Sequence, residues 1–237
     1  MLSRNLSSEF DQFNHVVGTI HSDGSLQRAL RLRPNAVDFL EIRVDHFAAD
    51  PRPLLRAVPK LKFPLILTAR HPAEGGANSL NLARRRELMM EFLPFASVLD
   101  AELRTVEKLG SILAMARGHG IKILVSAHYF HSTPSASQLA LLPARAKAVN
   151  ADILKVAALT STATDLAALF SLFTQKPKLP LSVMGMGAFG KISRLLFARA
   201  GSVFNYGYLD KPNASGQWEA TLLKARIAEI EAGSPPE

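Results

Sequence analysis

The chain has 237 residues, 48% of them hydrophobic, and 28 basic against 20 acidic side chains give a net charge of +8. That length suits one large single-core domain or two small ones, and 20% charged residues argue against wholesale disorder. No apolar run reaches the roughly 18–20 residues a bilayer span needs, and the absence of cysteine excludes disulfides, thiolate catalysis and thiolate metal sites. The first residues, Met1 to Leu6, lack the apolar stretch of a secretory signal and soon meet Glu9 and Asp11, so the expectation is a cytoplasmic protein. The densest basic cluster, Arg84-Arg85-Arg86, is followed at once by Glu87 and reads as the solvated face of a helix. The tyrosines and the tryptophan do not interleave with basic residues, so no nucleic-acid partner is expected.

Along the chain, short runs rich in β-branched and apolar residues alternate with helical patterns. Strands are predicted at 16–21, 37–45, 64–70, 97–103, 122–130, 151–159, 181–187 and 202–209, with starts 21 to 33 residues apart. Helices are predicted at 25–32, opened by a serine cap, and at 51–61, where Asp50 precedes the first proline. The others fall at 82–95, 106–118, 135–150, 161–175, 193–200 and 219–232. In the last, Leu223, Ile227 and Ile230 share one face. Strict alternation of this kind points to a single closed (β/α)8 TIM barrel over residues 1–237, with a core at about 15–232. An open doubly wound sheet is the alternative, and the tail after Ala232 reads as a frayed end.

In such a barrel the chemistry sits at the C-terminal ends of the strands. The second strand ends with Glu41, Arg43 and Asp45, two apart and therefore on one face, which is either an exposed edge or the wall of a polar pocket. The third ends at Arg70 and runs into Glu74-Gly75-Gly76; the fourth carries Asp100 and Glu102; the fifth carries His128 near its end. Lys155 is the only cation of the sixth strand. Its bland reading is a stem lying on apolar surface with its head in water. Its functional reading is an amine in a poorly hydrated pocket near other cations, kept nucleophilic toward carbonyls. His128, one strand earlier, is within reach of the same small substrate and suited to moving a proton. Gly185-Met186-Gly187-Ala188-Phe189-Gly190 matches a dinucleotide-binding fingerprint, with Asp210 downstream, but too little chain follows to complete that fold.

These residues fall into a known pattern. The sequence resembles the type I 3-dehydroquinate dehydratases in Glu41 to Phe47, Thr68 to Arg70 with Glu74 to Gly76, Ser126 to Phe130 with Thr133-Pro134, Asp152 to Ala157, Met184 to Arg194, and Gly216-Gln217. The matches run in family order from about residue 15 to 230. The resemblance implies a lyase of the shikimate pathway and aromatic amino-acid biosynthesis, without metal or cofactor. Lys155 would form a Schiff base with 3-dehydroquinate, His128 would act as general acid and base, and Glu74 would orient the histidine. Arg194 and Gln217 correspond to carboxylate-binding positions, and Glu41, Arg43 and Arg70 to residues that hold the ring hydroxyls. Thr19 stands where the family often has serine. The loop Pro212-Asn213-Ala214-Ser215-Gly216-Gln217 departs from the usual pattern: Asn213 takes the substrate-contacting position unless Ser215 does. Ala127 and Tyr129 also differ from the residues that commonly flank the histidine. A homodimer is a further implication of the resemblance. A class I aldolase-type enzyme, a non-catalytic anion-binding barrel and a nicotinamide oxidoreductase are the competing readings.

Overall fold

The computed structural model describes residues 14–233; the readings of the N-terminal segment and of the tail beyond Gly233 lie outside them. Eight parallel strands form one sheet: β1 (His15–Ile20), β2 (Phe39–Arg43), β3 (Leu65–Thr68), β4 (Val98–Glu102), β5 (Lys122–Tyr129), β6 (Ile153–Leu159), β7 (Leu181–Met186) and β8 (Phe204–Tyr208). Neighbours run in sequence order, β1 pairing with both β2 and β8, so the sheet curls round on itself and the open doubly wound alternative falls. No ladder joins β7 to β8. The seam is bridged instead by Val203 N–H on the Leu181 carbonyl (2.7 Å), Ser182 Oγ on the Phe204 carbonyl (2.7 Å) and Val183 N–H on Ser202 Oγ (3.2 Å).

The two-residue period of each strand decides what the barrel encloses. At the lower end Val17, Phe39, Ile66, Val98, Leu124, Ile153 and Phe204 fill the interior as an apolar floor, with the rings of Phe39 and Phe204 edge to face at 4.9 Å. One inward step higher in their strands come Thr19, Glu41, Thr68, Asp100, Ser126, Lys155 and Tyr206, all buried. The alternate residues, such as Val16, Leu40, Leu67, Leu99, Val125 and Leu154, face outward and pack beneath the helices. Polarity is therefore confined to one end of the interior.

The described residues hold nine α-helices: α1 (Asp23–Leu30), α2 (Arg52–Ala57), α3 (Leu82–Phe92), α4 (Gly110–Gly118), α5 (Ala136–Leu139), α6 (Leu142–Ala148), α7 (Ala163–Thr174), α8 (Gly190–Arg199) and α9 (Ala220–Ala232). The serine cap of α1 is Ser22, in a capping box with Ser25 in the first turn, and not Ser25 itself. Thr162 and Asp165 form the same box on α7. The single helix expected at 135–150 is two, because Pro143 has no amide hydrogen to continue a helix and instead begins α6. The helix expected from residue 193 starts at Gly190, led in by a 3-10 turn at Gly187–Phe189. The apparent dinucleotide glycines are taken up by backbone packing. Gly187 has φ +79°, and Gly190 lies against Gly216, where an added Cβ would come 2.8 Å from the Gly216 Cα.

Gly216 has φ +74°, and a Cβ there would meet the Gly187 carbonyl at 2.4 Å. Gly216→Ala is expected to destabilise the protein by about 1–3 kcal/mol through strain and overpacking. The urea midpoint should fall at unchanged m-value; an unchanged midpoint would show that the loop is not held by this contact.

Candidate active site

Above the polar layer opens a cavity of about 630 Å³, including its mouth, and all ten residues to which the resemblance assigns a role border it: Thr19, Glu41, Arg43, Arg70, Glu74, His128, Lys155, Arg194, Asn213 and Gln217. Glu41 and Arg43 are buried (4% and 8% exposed), so the second strand forms a pocket wall and not an exposed edge.

Lys155 rises from β6, level with Ser126 on β5, while His128 pairs with Ala157 one inward step higher. The amine lies 3.3 Å from Glu41 Oε1 and 3.4 Å from Asp100 Oδ2, against the face of the Tyr206 ring at 3.7 Å from its centre. Its immediate neighbours are thus two carboxylates and an aromatic face, where the sequence suggested other cations. The cations are nearby but engaged. Arg43 donates to both oxygens of Asp45 (2.9 and 2.7 Å) and to the Gly75 carbonyl (3.0 Å). Arg70 donates to both oxygens of Asp100 and to Glu102 Oε1 (3.1 Å), and Ser126 Oγ donates to Asp100 Oδ1 (2.6 Å).

Burial alone would raise the Glu41 and Asp100 carboxyls, but the surrounding cations outweigh it and hold both below their ordinary values. Lys155, Arg43 and Arg70 act on Glu41; Arg70 and Lys155 act on Asp100. Thr19 Oγ1 and Thr68 Oγ1 donate to the two oxygens of Glu41 (3.2 and 3.0 Å), fixing its orientation. For Tyr206, burial and then the two carboxylates push the phenol well above its usual value, so the ring presents a neutral face to the amine.

His128 Nδ1 lies 2.9 Å from Glu74 Oε2, and the His128 backbone N–H donates to the same oxygen at 3.1 Å. Glu74 sits in a 3-10 turn closed by Gly75, whose φ of +79° turns the chain back over the strand ends. Burial, with Arg70 and Lys155, holds the imidazole well below its ordinary value. Burial also raises the Glu74 carboxyl to about 7. The Phe130 ring stacks on the imidazole at 6.3 Å.

Across the mouth, Arg194 of α8 spans the β7–β8 seam. Its Nε donates to the Tyr206 carbonyl (2.9 Å), and its Nη1 to the carbonyls of Gly185 (2.9 Å), Gly190 (2.6 Å) and Gly216 (3.0 Å). Among the described residues Nη2 has no hydrogen-bond partner and the side chain meets no carboxylate, and burial lowers the guanidinium to about 10. Gln217 Oε1 accepts from the backbone N–H groups of Asn213 (3.0 Å) and Ala214 (3.3 Å), which leaves its amide nitrogen as the free donor. Asn213 borders the cavity and Ser215 does not; the Asn213 Oδ1 is buried without a partner.

Several residues bordering or supporting this site received no role from the sequence. Asp100, Tyr206, Met184, Met186 and Phe130 are among them, although Asp100 and Tyr206 lie in the inward phase of their strands and could have been read from it. The reading of Arg84-Arg85-Arg86 as a solvated face fails at its middle residue. Arg85 is fully buried, with Nε donating to the Ala69 carbonyl (2.7 Å) and Nη2 to Glu102.

A family model described as Type I 3-dehydroquinase matches residues 17–231. A 3-dehydroquinate dehydratase of Hydrogenobaculum sp. is 34% identical over 192 residues, covering 78% of this chain and 85% of that protein. The corresponding protein of Escherichia coli O9:H4 is 31% identical over 214 residues, covering 83% of each. The crystal structure of 3-dehydroquinate dehydratase from Geobacillus kaustophilus superimposes with a TM-score of 0.84 at 25% identity, covering 93% of this chain and 92% of that one. With the ordered motifs already mapped onto one barrel mouth, these likenesses establish that the chain belongs to the type I 3-dehydroquinase family.

Proposed function

We infer that this chain is a hydro-lyase that dehydrates 3-dehydroquinate to 3-dehydroshikimate, a step of the shikimate pathway, through a Schiff base on Lys155. The observation that carries the reading is a buried amine on the cavity floor with an oriented imidazole one inward step above it. The amine attacks the ketone carbon and water leaves, giving an iminium that draws electrons from the neighbouring carbon. His128 takes the proton from that carbon; the resulting enamine expels the hydroxyl, which receives the proton from His128 and departs as water. Hydrolysis returns the enone and the free amine. Glu41 and Asp100 stabilise the positive charge of the iminium as it forms. Arg194 Nη2 and the Gln217 amide nitrogen are the donors suited to the substrate carboxylate, an arginine that already lacks an anion being the best receptor for one. Arg43, Arg70, Thr19 and Asn213 complete the polar rim that meets the ring hydroxyls.

The reading extends to a cytoplasmic enzyme, which the cysteine-free composition permits, and to a homodimer, which the resemblance alone suggests. Among the described residues no helix is long and apolar enough to cross a membrane. An aldolase-type reaction would use the same lysine but break a carbon–carbon bond, and an anion-binding barrel would return the ligand unchanged, so product analysis separates all three.

Borohydride added with 3-dehydroquinate is expected to label Lys155, seen as a mass adduct on the peptide that contains it; no adduct, or one elsewhere, would overturn the imine. His128→Ala should still be labelled while turnover falls by about 10²–10⁴-fold. Near-normal turnover would remove His128 from the proton path. The Glu74 value sets the pH dependence. A protonated Glu74 donates to Nδ1 and leaves the imidazole proton on Nε2, whereas an ionised Glu74 accepts from Nδ1–H and frees Nε2 to act as base. Turnover should therefore rise as pH passes through about 7, where Glu74 loses its proton. In Glu74→Gln, whose amide does not ionise, that limb should vanish and turnover should no longer change as pH passes through about 7. Persistence of the limb would assign it to another group.

A further inference from the structure

The buried charges beneath the cavity extend further than the residues assigned to the reaction. Lys155 Nζ meets Asp100 and Glu41; Asp100 is bridged to Glu102 by Arg70; Glu102 is bridged to α3 by Arg85. Every side chain on that path is buried, and Arg85, Asp100 and Glu102 have no exposed surface at all. Arg85 does not touch the cavity. Its Nη2 holds Glu102 Oε2, which also accepts from Thr105 Oγ1 (3.1 Å), while Glu102 Oε1 accepts from Arg70 Nη1 (3.1 Å) and the His71 backbone N–H (2.8 Å). The Nη1 of Arg85 is buried without a partner, so satisfaction of its own donors does not explain its position; the carboxylate does.

Charge balance shows what this contact does. Arg43 and Asp45 neutralise one another directly. The remaining ion-paired network sets Glu41, Asp100 and Glu102 against Arg70 and, with its amine protonated, Lys155, an excess of one negative charge that the Arg85–Glu102 pair offsets. Without Arg85, Glu102 would compete with Asp100 for the Arg70 guanidinium, and an uncompensated charge would lie three ion pairs from the reacting amine. In a poorly hydrated interior that charge is weakly screened.

We propose that Arg85 is a positioning residue for the Lys155 amine: by holding Glu102 it keeps Arg70 on Asp100 and Asp100 beside the amine. The proposal rests on the Schiff-base reading of Lys155. The groups facing the amine are Glu41 from β2, Asp100 from β4 and the Tyr206 ring from β8, with Arg70 and His128 close enough to act through charge. Those facing Arg85 are Glu102, the Ala69 carbonyl and, through charge, the His71 imidazole. None of these faces Arg85 as a second carboxylate, so its removal acts through Glu102.

The test measures, in the full chain, the pH at which 3-dehydroquinate and borohydride label Lys155 at half the maximal rate. In Arg85→Met that pH should move up by about one unit, with labelling about tenfold slower at a fixed pH on the acid side. Arg85→Lys, which keeps the charge, should restore the parental midpoint, and so should Arg85→Met combined with Glu102→Gln, which removes both charges. A role confined to stability would lower the unfolding midpoint and leave the labelling midpoint in place, and that outcome overturns the proposal. If Arg85→Met does not fold, Arg85→Gln, which still donates to Glu102 without the charge, carries the same expectation. Failure of the parental protein to label Lys155 would overturn the functional reading, and the proposal with it; parental labelling with unmoved midpoints in the folded neutral variants overturns the proposal alone.

Discussion

Arg70 stands inside the barrel with its guanidinium divided between Asp100 and Glu102, and a buried charge of this kind persists only when it is paired and its remaining hydrogen-bonding groups are satisfied. The pairing fixes more than the arginine. It orients Asp100 toward the Lys155 amine, anchors Glu102 to the residue following Arg70 and to helix α3, and ties three neighbouring strands together above the apolar floor. Removing either partner of such a pair typically costs about 3–5 kcal/mol, because the survivor remains buried without compensation. The site and the stability of the upper barrel therefore rest on the same contacts.

A second economy operates at the seam. The β7–β8 edge lacks a continuous ladder, and Arg194 bridges it from α8 by donating to carbonyls on both strands and on the loop through Gly216. The carbonyls of Gly185 on β7, Gly190 at the start of α8 and Gly216 in the loop accept from one of its terminal nitrogens, and the other is left toward the cavity. One side chain thus adds to the bonds that close the barrel and presents a cation with no anion of its own among the described residues. The net charge of +8 has little to do with this. Within the pocket the basic groups are nearly all matched by carboxylates, and Arg194 is distinguished by its solitude.

Much of the fold was legible because the governing signals are local. Alternation in β2, β4 and β6 gave strands within two residues of their observed limits, and the period of two put Glu41 and Arg43 on one face, though whether that face turned inward waited on closure of the barrel. The split between α5 and α6 was also local, written in Pro143, and went unread against a strong helical pattern. The ordered motifs placed the site residues at one barrel mouth, since strand ends in a parallel barrel share a direction. What failed was pairing. Lys155 was expected among cations and lies between carboxylates; Arg85 was expected in water and lies on Glu102.

The sequence by itself determined the alternation of strands and helices, which charged residues of a strand share a face, and which residues fall into the family's ordered motifs. Only the tertiary structure decided which charge meets which: that Glu102 reaches across to α3, that the Tyr206 ring faces the amine, and that Arg194 keeps one nitrogen unengaged among the described residues. The reason is physical. Periodicity belongs to a few consecutive residues, whereas a buried ion pair joins side chains as far apart as Glu41 and Lys155, and its partner is settled only when the barrel closes and every enclosed charge must find an opposite.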